Sequence, residues 1–432
     1  MPAAEPALGT AEAAALFRPL EGLSTIALAV SGGPDSLALM LCAARWAETR
    51  PAPPRLLVLS VDHGLRPEAA AEVQWVVEQA ARLGLDAKAL RWAGGKPQTG
   101  VQATARSARY ELMAGEMAER GISTLLTAHH LNDQAETLLM RMAHGSGLNG
   151  LGGMRPLSSQ YGITLFRPFL ATPQVRLHEI VKASGLVPIS DPSNADLDYE
   201  RVRWRAEVPH LGALGLTAAS LAKLARRVAR AELALSEIAA RRFTRQATFG
   251  TLGEISFPHA VWSAEPEEIR LRLLGTAVEI AGGGTYSDDL ARLEELSDSL
   301  VGAKAQKGTT FRGAKIYSDG RVISVVREAS RVPANTVTLA RETSLLWDNR
   351  FAIHTGPECR PVTVTGGHGL RSAEVEKALG MRLNGRAYAL AGSPLVTDQD
   401  GEILAVGANV ISRGLTIRFG TAETDRSNGL TP

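Results

Sequence analysis

Cysteine is almost missing: Cys42 and Cys359 are the only two in 432 residues. Two thiols build neither a disulfide framework nor a thiolate metal cluster, and Cys42 sits in an apolar helical run that favours a small buried side chain. No stretch reaches the ~20 uninterrupted apolar residues of a membrane span. The first residues, MPAAEPALGTAEAAALF, carry Glu5 and Glu12 but no Lys or Arg, so the basic start of a secretory signal is absent. The expectation is a cytoplasmic protein with no membrane partner. A dominant charge is lacking as well: the formal net charge is +2, too small for the molecule as a whole to announce a polyanionic partner.

What is present has the balance of a globular chain, 45% hydrophobic and 21% charged, and its length suits two or three domains with separate cores. Residues 24 to 128 alternate short apolar runs with helical patterns. Strands are expected at STIALAV, RLLVLSVD, DAKALRW and STLLTA, and helices at SLALMLCAARWAE, EAAAEVQWVVEQAARLG and VQATARSARYELMAGEMAERG. This order predicts an α/β fold with a doubly wound, mostly parallel sheet, whose ligands sit beyond the carboxyl ends of the strands. Three of the strands end in polar clusters, SGGPDS, VDHGLR and AHHLNDQ, which should meet at one rim.

A glycine-rich stretch, HGSGLNGLGGM, follows at residues 144–154 and has the texture of a loop that moves or approaches a ligand closely. From Ala218 to Arg245 the periodicity is helical with a basic face. Between Arg201 and Arg245 ten basic residues stand against three acidic ones, an excess of seven. Two further helical patterns end near residue 301. After about Lys307 the texture turns to β, with Asp319-Gly320 as a hairpin signal. The expected division is a catalytic domain over 20–210, a helical domain over 211–306, and a small mixed α and β domain over 307–432.

The junction Ser31-Gly32-Gly33-Pro34-Asp35-Ser36 carries the clearest chemistry. After a parallel strand, the two glycines permit a tight turn that presents backbone N–H groups, and the next helix points its positive end the same way. Together they form an anion cradle, to which Ser31 and Ser36 add hydroxyls. The GK[ST] ending of a Walker loop is absent, and the loop holds no lysine. Phosphate alone would repel Asp35, so a carboxylate here calls for a bridging divalent cation, most plausibly Mg²⁺.

This hexapeptide resembles the SGGxDS loop of the N-type ATP pyrophosphatases, the PP-loop family, which cleave ATP between its α and β phosphates and adenylate an acceptor oxygen. Further blocks are similar, in kind and in order, to those of tRNA(Ile)-lysidine synthetases: VDHGLR (61–66), ARSARY (105–110), TAHHLNDQAET (127–137), RMAHGSGLNGLGGM (141–154), RPFL (167–170), DPSN (191–194) and RVRWR (201–205). The likeness is dense over residues 24–206 and weaker in TTFRGAKIY, VVREAS and LLWDNRF. Two positions depart from the pattern. Asn132 precedes Asp133 where two carboxylates are usual, and Val202 stands where an asparagine is usual.

The resemblance implies a ligase. ATP adenylates the wobble cytidine of the CAU anticodon of tRNA(Ile), and free L-lysine displaces AMP to give lysidine. It implies ATP and Mg²⁺ as cofactors, with Ser31, Gly32, Gly33, Pro34, Asp35 and Ser36 on the pyrophosphate, Asp35 on the metal, and Val61, Asp62 and His63 at the adenosine. Arg141, Gly145 and Ser146 belong to a loop expected to close over ATP. Asp35, Arg106, Arg109 and Asp133 are the implied catalytic groups. His129, Arg201, Arg203, Arg205, Arg226, Arg227 and Arg230 are the implied tRNA contacts, with acceptor-stem recognition assigned to the C-terminal domain. The alternatives are another PP-loop adenylating enzyme, a tRNA 2-thiolase or an amide-forming synthetase, and a non-catalytic RNA-binding protein. The scarcity of thiols disfavours sulfur and glutaminase chemistry. The oligomeric state stays open, a homodimer included.

Overall fold

The structure is a computed structural model describing residues 6–64, 66–94, 101–191, 196–284, 289–302, 305–383 and 387–420. The chain forms two compact units, Met1–Glu232 and Leu233–Pro432.

The first unit is built on a six-stranded sheet in the order β3-β2-β1-β4-β6-β5. Its strands are β1 (Thr25–Ala29), β2 (Arg55–Asp62), β3 (Asp86–Arg91), β4 (Thr124–Leu126), β5 (Leu157–Gln160) and β6 (Ile163–Phe166). All neighbours are parallel except β5, which closes the edge antiparallel to β6. The doubly wound, mostly parallel sheet expected from the alternation is therefore present. Side chains of β1 alternate between two cores: Ile26 and Leu28 join one, Ala27 the other. Burial on both faces explains why β1 reads as an unbroken apolar run.

Helices α1 (Thr10–Phe17), α2 (Pro34–Glu48), α3 (Ala69–Arg82) and α4 (Val101–Glu119) precede β4. They are followed by α5 (Leu131–Ala143), the single turn α6 (Leu148–Leu151) and α7 (Gln174–Ser184). Helix α2 is buried along almost its whole length, from Ser36 through Ala44 and again at Trp46 and Ala47. It packs with Leu177, Ile180 and Val181 of α7 and with Phe17 of α1. Strands β2 and β3 lie on one side of β1, and β4 and β6 on the other. The winding thus reverses between β1 and β4, which opens a crevice at the ends of those two strands. The segments Ser31–Gly33 and Thr127–His130 leave the sheet at that crevice.

Helices α8 (Glu200–Ala213) and α9 (Ala218–Gln246) come next. Leu221 and Ala225 of α9 are buried with Ala135, Leu138 and Leu139 of α5, and Trp204, Val208 and Leu211 of α8 pack against them. The expected boundary at 210/211 falls inside α8. This shared apolar cluster carries the first unit on to Glu232.

In the second unit β7 (Thr248–Phe249) and β8 (Ile255–Pro258) precede α10 (His259–Ser263), α11 (Glu267–Gly282) and α12 (Leu290–Val301). The antiparallel sheet β7-β8-β11-β10-β9 then takes in β9 (Gln306–Phe311), β10 (Ala314–Ser318) and β11 (Val322–Arg327). Strand β8 pairs with β11, so the expected helical and C-terminal segments share one sheet and one core around Phe257, Trp262 and Leu273. The Asp319-Gly320 hairpin forms as read, with Asp319 Oδ1 accepting from the N–H groups of Arg321 and Val322.

Two more antiparallel sheets complete the unit. One comprises β12 (Val337–Leu339), β15 (Val362–Gly366), β16 (Pro394–Thr397), β17 (Ile403–Val406) and β18 (Asn409–Val410). The other comprises β13 (Ser344–Trp347), β14 (Phe351–Thr355) and β19 (Leu415–Phe419), and α13 (Ser372–Leu379) lies between β15 and β16 in the chain. Within LLWDNRF, Asp348 and Asn349 both have positive φ and make the tight turn between β13 and β14.

Gly32 is the backbone position on which the crevice rests. Its φ is +86°, its carbonyl accepts the N–H of Ile189 at 3.0 Å, and an added Cβ would collide with the Ile189 side chain. We expect Gly32→Ala to cost at least the ~1–2 kcal/mol of a left-handed residue, with displacement of the 186–191 segment in addition. A lowered Tm and loss of nucleotide binding check this; an unchanged Tm refutes it.

Candidate active site

The loop after β1 is braced by its own side chains. Ser36 Oγ accepts the Ser31 N–H at 3.2 Å and donates to the Gly33 carbonyl at 2.9 Å. Ser36, expected to add a hydroxyl to the phosphate cradle, donates its proton to Gly33 here and so shapes the loop. Ser31 is exposed. Gly33 is the N-cap of α2, Pro34 its first residue, and no side chain caps that end. The free N–H groups and the dipole of a 15-residue helix therefore face the crevice.

Asp35, on the first turn of α2, is the hub. Its Oδ1 lies 3.1 Å from His178 Nε2, the Gln174 amide nitrogen is 3.3 Å from both oxygens, and His130 Nε2 is 3.6 Å from Oδ2. Burial pushes its pKa up, but the nearby His130, with His178 and Gln174 adding to it, outweighs this and leaves it below the usual carboxylate value.

His130 is the N-cap of α5. Its backbone N–H donates to Asp133 Oδ2 at 2.9 Å, and its Nδ1 accepts the Asp133 N–H at 3.4 Å, a reciprocal capping box. Its Nε2 lies 3.4 Å from Asp133 Oδ2, so the imidazole stands between the carboxylates of Asp35 and Asp133. Burial pushes His130 down; the neighbouring carboxylates of Asp35, Asp133 and Glu136 reverse this, and its pKa is raised.

Beyond Asp133 the charges continue. Glu136, with 1% of its side chain exposed, accepts from Arg201 Nε at 2.9 Å and Arg205 Nε at 2.7 Å, and Arg201 also reaches Asp133 at 3.3 Å. Arg201 and Arg205 were read as tRNA contacts; four-residue spacing places both on the face of α8 turned toward α5, where they pair with carboxylates. Arg203, two positions from each, donates to the carbonyls of Leu197 and Asp198, both at 2.8 Å. The departures also find places. Asn132 Oδ1 accepts the N–H of Gln174 at 3.4 Å, at the start of α7, and Val202 is half-buried.

The opposite wall is cationic. The guanidinium carbons of Arg106 and Arg109, on one face of α4, lie 5.4 and 5.3 Å from the Tyr110 ring centroid. Burial lowers the pKa of Arg109, and Arg106 lowers it further. Arg167 donates to Arg155 O and Ser158 Oγ, both at 2.9 Å, while its Nε is buried without a partner. His129, its Nδ1 2.9 Å from Thr127 Oγ1, is held neutral first by burial and then by Arg106, Arg167, Arg201 and Arg109, which keep its pKa well below the ordinary value.

At the end of β2, Asp62 accepts the Gly64 N–H at 2.7 Å. His63 packs edge-on to Trp92, and its Nδ1 is buried without a hydrogen-bond partner among the described residues. Burial and Arg109 lower its pKa against the pull of Asp62 and Asp191. Val61 is half-buried beside them. Arg66 pairs with Asp191 at 3.3 Å, tying the DPSN block to this loop; Pro192, Ser193 and Asn194 lie outside the described residues.

The glycine-rich stretch is braced by side chains. Arg141 donates to the carbonyls of Gly150 (2.6 Å) and Gly153 (3.0 Å). Gln134 exchanges two hydrogen bonds with the Met154 backbone, at 2.7 and 2.8 Å. Arg141, expected to serve nucleotide binding, thus also holds this segment in shape. Gly145 is an exposed turn with φ +65°, and the Ser146 N–H bonds the Arg141 carbonyl. Lys223, Arg226, Arg227 and Arg230 are exposed on α9.

Three site residues escaped the sequence reading. Gln174 and His178 had no motif to mark them, and Arg167 stood within RPFL without an assigned role.

Neither thiol is poised for chemistry: Cys42 and Cys359 are buried, and burial pushes Cys42 up to about 11. Among the described residues no group of three or more His, Cys, Asp or Glu side chains is placed to hold a metal ion, and no helix is long and apolar enough to cross a membrane.

A nucleotide cradle at the switch point of a parallel sheet, with an aspartate on the first turn of the next helix, defines an ATP-using enzyme of the PP-loop class. The family model described as "PP-loop domain" matches residues 9–211. The chain is 41% identical over 339 residues, 75% of its length, to the tRNA(Ile)-lysidine synthase of Bradyrhizobium sp. (strain BTAi1 / ATCC BAA-1182), covering 94% of that protein. It is 34% identical over 404 residues to that of Ruegeria pomeroyi (strain ATCC 700808 / DSM 15171 / DSS-3), covering 93% of this chain and 92% of the relative. It belongs to the tRNA(Ile)-lysidine synthase family. Among solved structures it is similar to a U34-tRNA thiolase, NcsA from Methanococcus maripaludis, at TM-score 0.45 and 16% identity, covering 51% of this chain and 79% of that one.

The two histidines make opposite predictions. The His130 proton stabilises the fold below the ordinary histidine pKa, and that contribution is lost as pH rises through its raised value. The contribution of Asp35, whose pKa is lowered, is lost as pH falls through its depressed value. Their attraction is strongest between those limits. An NMR titration should find His130 titrating above the ordinary histidine value of 6.5 and His129 well below it; the reverse order refutes the charge arrangement.

Proposed function

We propose that this enzyme ligates free L-lysine to the wobble cytidine of tRNA(Ile) with a CAU anticodon, in two steps at the crevice between β1 and β4. In the first, the cytosine carbonyl oxygen next to N3 attacks the α-phosphorus of ATP and pyrophosphate leaves. In the second, the ε-amine of lysine attacks the carbon that bears this oxygen, a C–N bond forms, the amine loses a proton, the C–O bond breaks, and AMP departs. A carbonyl oxygen leaves poorly until adenylated, so nucleotide chemistry comes first. The observation that carries this reading is the juxtaposition of Asp35 with Asp133 through His130, which joins the phosphate loop to the second motif at one point.

Roles follow from charge. The α2 N-terminus and the Ser31–Gly33 backbone receive pyrophosphate. Arg106, Arg109 and Arg167 surround neutral His129 with no carboxylate among them, which suits negative charge developing on the α-phosphate. Asp133 is the group that orients the incoming lysine amine, and Glu136 holds Arg201 and Arg205 beside it. The unpartnered Nδ1 of His63 suits a hydrogen bond from the adenine amino group or a ribose hydroxyl.

No cluster of protein ligands is present for Mg²⁺ among the described residues, but this ion commonly takes one or two carboxylates plus substrate phosphates. Asp35, with its lowered pKa, on the first helical turn beside the cradle, fits that mode. When bound with the nucleotide, the ion would neutralise charge on the leaving pyrophosphate.

The exposed cations of α9 (Lys223, Arg226, Arg227 and Arg230) suit tRNA backbone contacts, and the C-terminal unit is assigned to the acceptor stem. Catalysis and the tRNA contacts of α9 then fall to the unit Met1–Glu232, and stem recognition to Leu233–Pro432. With tRNA as substrate, the site of action is the cytoplasm.

ATP-dependent incorporation of radiolabelled lysine into CAU-anticodon tRNA is the direct assay. Incorporation is expected, and Asp35→Ala should abolish pyrophosphate release. Failure of folded protein to incorporate lysine sinks the reading. The triple substitution R226A/R227A/R230A should lower the slope of log K against log salt by about 2–3, with adenylation of a minimal anticodon stem-loop retained. An unchanged slope removes α9 from the tRNA path.

A further inference from the structure

Asp35 is held from a side no motif announced. Gln174, the first residue of α7, and His178, one turn on, share one face of that helix. The same helix buries Leu177, Ile180 and Val181 in the core with α2. Its start is tied to the α5 motif twice: Asn132 Oδ1 accepts the Gln174 N–H at 3.4 Å, and the Leu131 N–H donates to Thr172 O at 3.0 Å. Helix α7 is thus fixed to both elements that carry the site's carboxylates.

The hydrogen bonds on Asp35 are unevenly shared. An ionised carboxylate only accepts, two lone pairs to each oxygen. His178 Nε2 must then be the protonated nitrogen, and at 3.1 Å it takes one lone pair of Oδ1. The Gln174 amide straddles both oxygens at 3.3 Å. His130, at 3.6 Å from Oδ2, is too far to hydrogen-bond and acts by charge alone. Oδ1 is therefore filled, whereas Oδ2 keeps a lone pair.

We infer that His178 and Gln174 are positioning residues that clasp Asp35 through Oδ1 and turn Oδ2 toward the divalent cation accompanying the nucleotide. The inference rests on the reading of Asp35 as a cation ligand. Groups that orient a ligand from behind tune metal affinity by roughly 10–100-fold, and His178 is placed to do so although it belongs to neither loop nor motif.

Binding of a non-hydrolysable α,β-substituted ATP analogue to the full chain, followed by calorimetry across a Mg²⁺ series, tests this without turnover. His178→Ala should raise the half-saturating Mg²⁺ concentration about 10-fold while leaving metal-free analogue affinity and Tm unchanged. His178→Gln, whose amide reaches a similar point, should restore most of the loss. Gln174→Ala should shift the curve the same way by less, and serves should the His178 variant fold poorly. A Mg²⁺ curve unmoved by both alanines overturns the inference. So does a shift to lower Mg²⁺, which would mean that the imidazole competes with the cation. Asp35→Ala separates the two levels of argument: it should erase the Mg²⁺ response, and a variant that kept it would overturn the assignment of Asp35 itself.

Discussion

The site depends on one imidazole held between two carboxylates. His130 leaves the sheet where the winding reverses and caps α5, and its outer nitrogen faces both Asp35 and Asp133. Asp35 belongs to the helix after β1 and Asp133 to the helix after β4, so this contact spans the crevice and couples the two strand ends. Two acids approaching in a half-buried space would repel each other; the shared histidine makes their proximity favourable.

Around that bridge the charges separate. On one side Asp133 and Glu136 are matched by Arg201 and Arg205. On the other, Arg106, Arg109 and Arg167 gather around a neutral histidine without an acid to balance them. A cationic wall left uncompensated, beside an uncapped helix start, is suited to triphosphate.

Several residues that look like substrate ligands are builders. Ser36 closes its own loop, Arg141 and Gln134 brace the glycine-rich turn, and Asn132 anchors α7. Loss of function on mutating any of them would report first on the shape of the crevice. The same economy explains why the Asn132 departure is tolerated: the position needs an oxygen acceptor toward Gln174, which an amide supplies as well as a carboxylate.

Much was legible in order along the chain. The apolar run of β1, the abrupt SGGPDS junction and the polar clusters after β2 and β4 dictate a parallel sheet with its chemistry at one rim, because buried strands, tight phosphate turns and helix starts are local matters of side-chain polarity and backbone freedom. Which way a long side chain points is not local. Arg201 and Arg226 read alike as basic residues on helices, yet one is drawn to a buried glutamate and the other stays in water; the choice was made by the packing of α8 and α9 on α5. His178 and Gln174 carried no pattern at all, since they act on a residue some 140 positions away. The sequence by itself determined the sheet, the loop and the chemical class. Tertiary packing decided which charges meet, because electrostatic partners are set by distance through space and not along the chain.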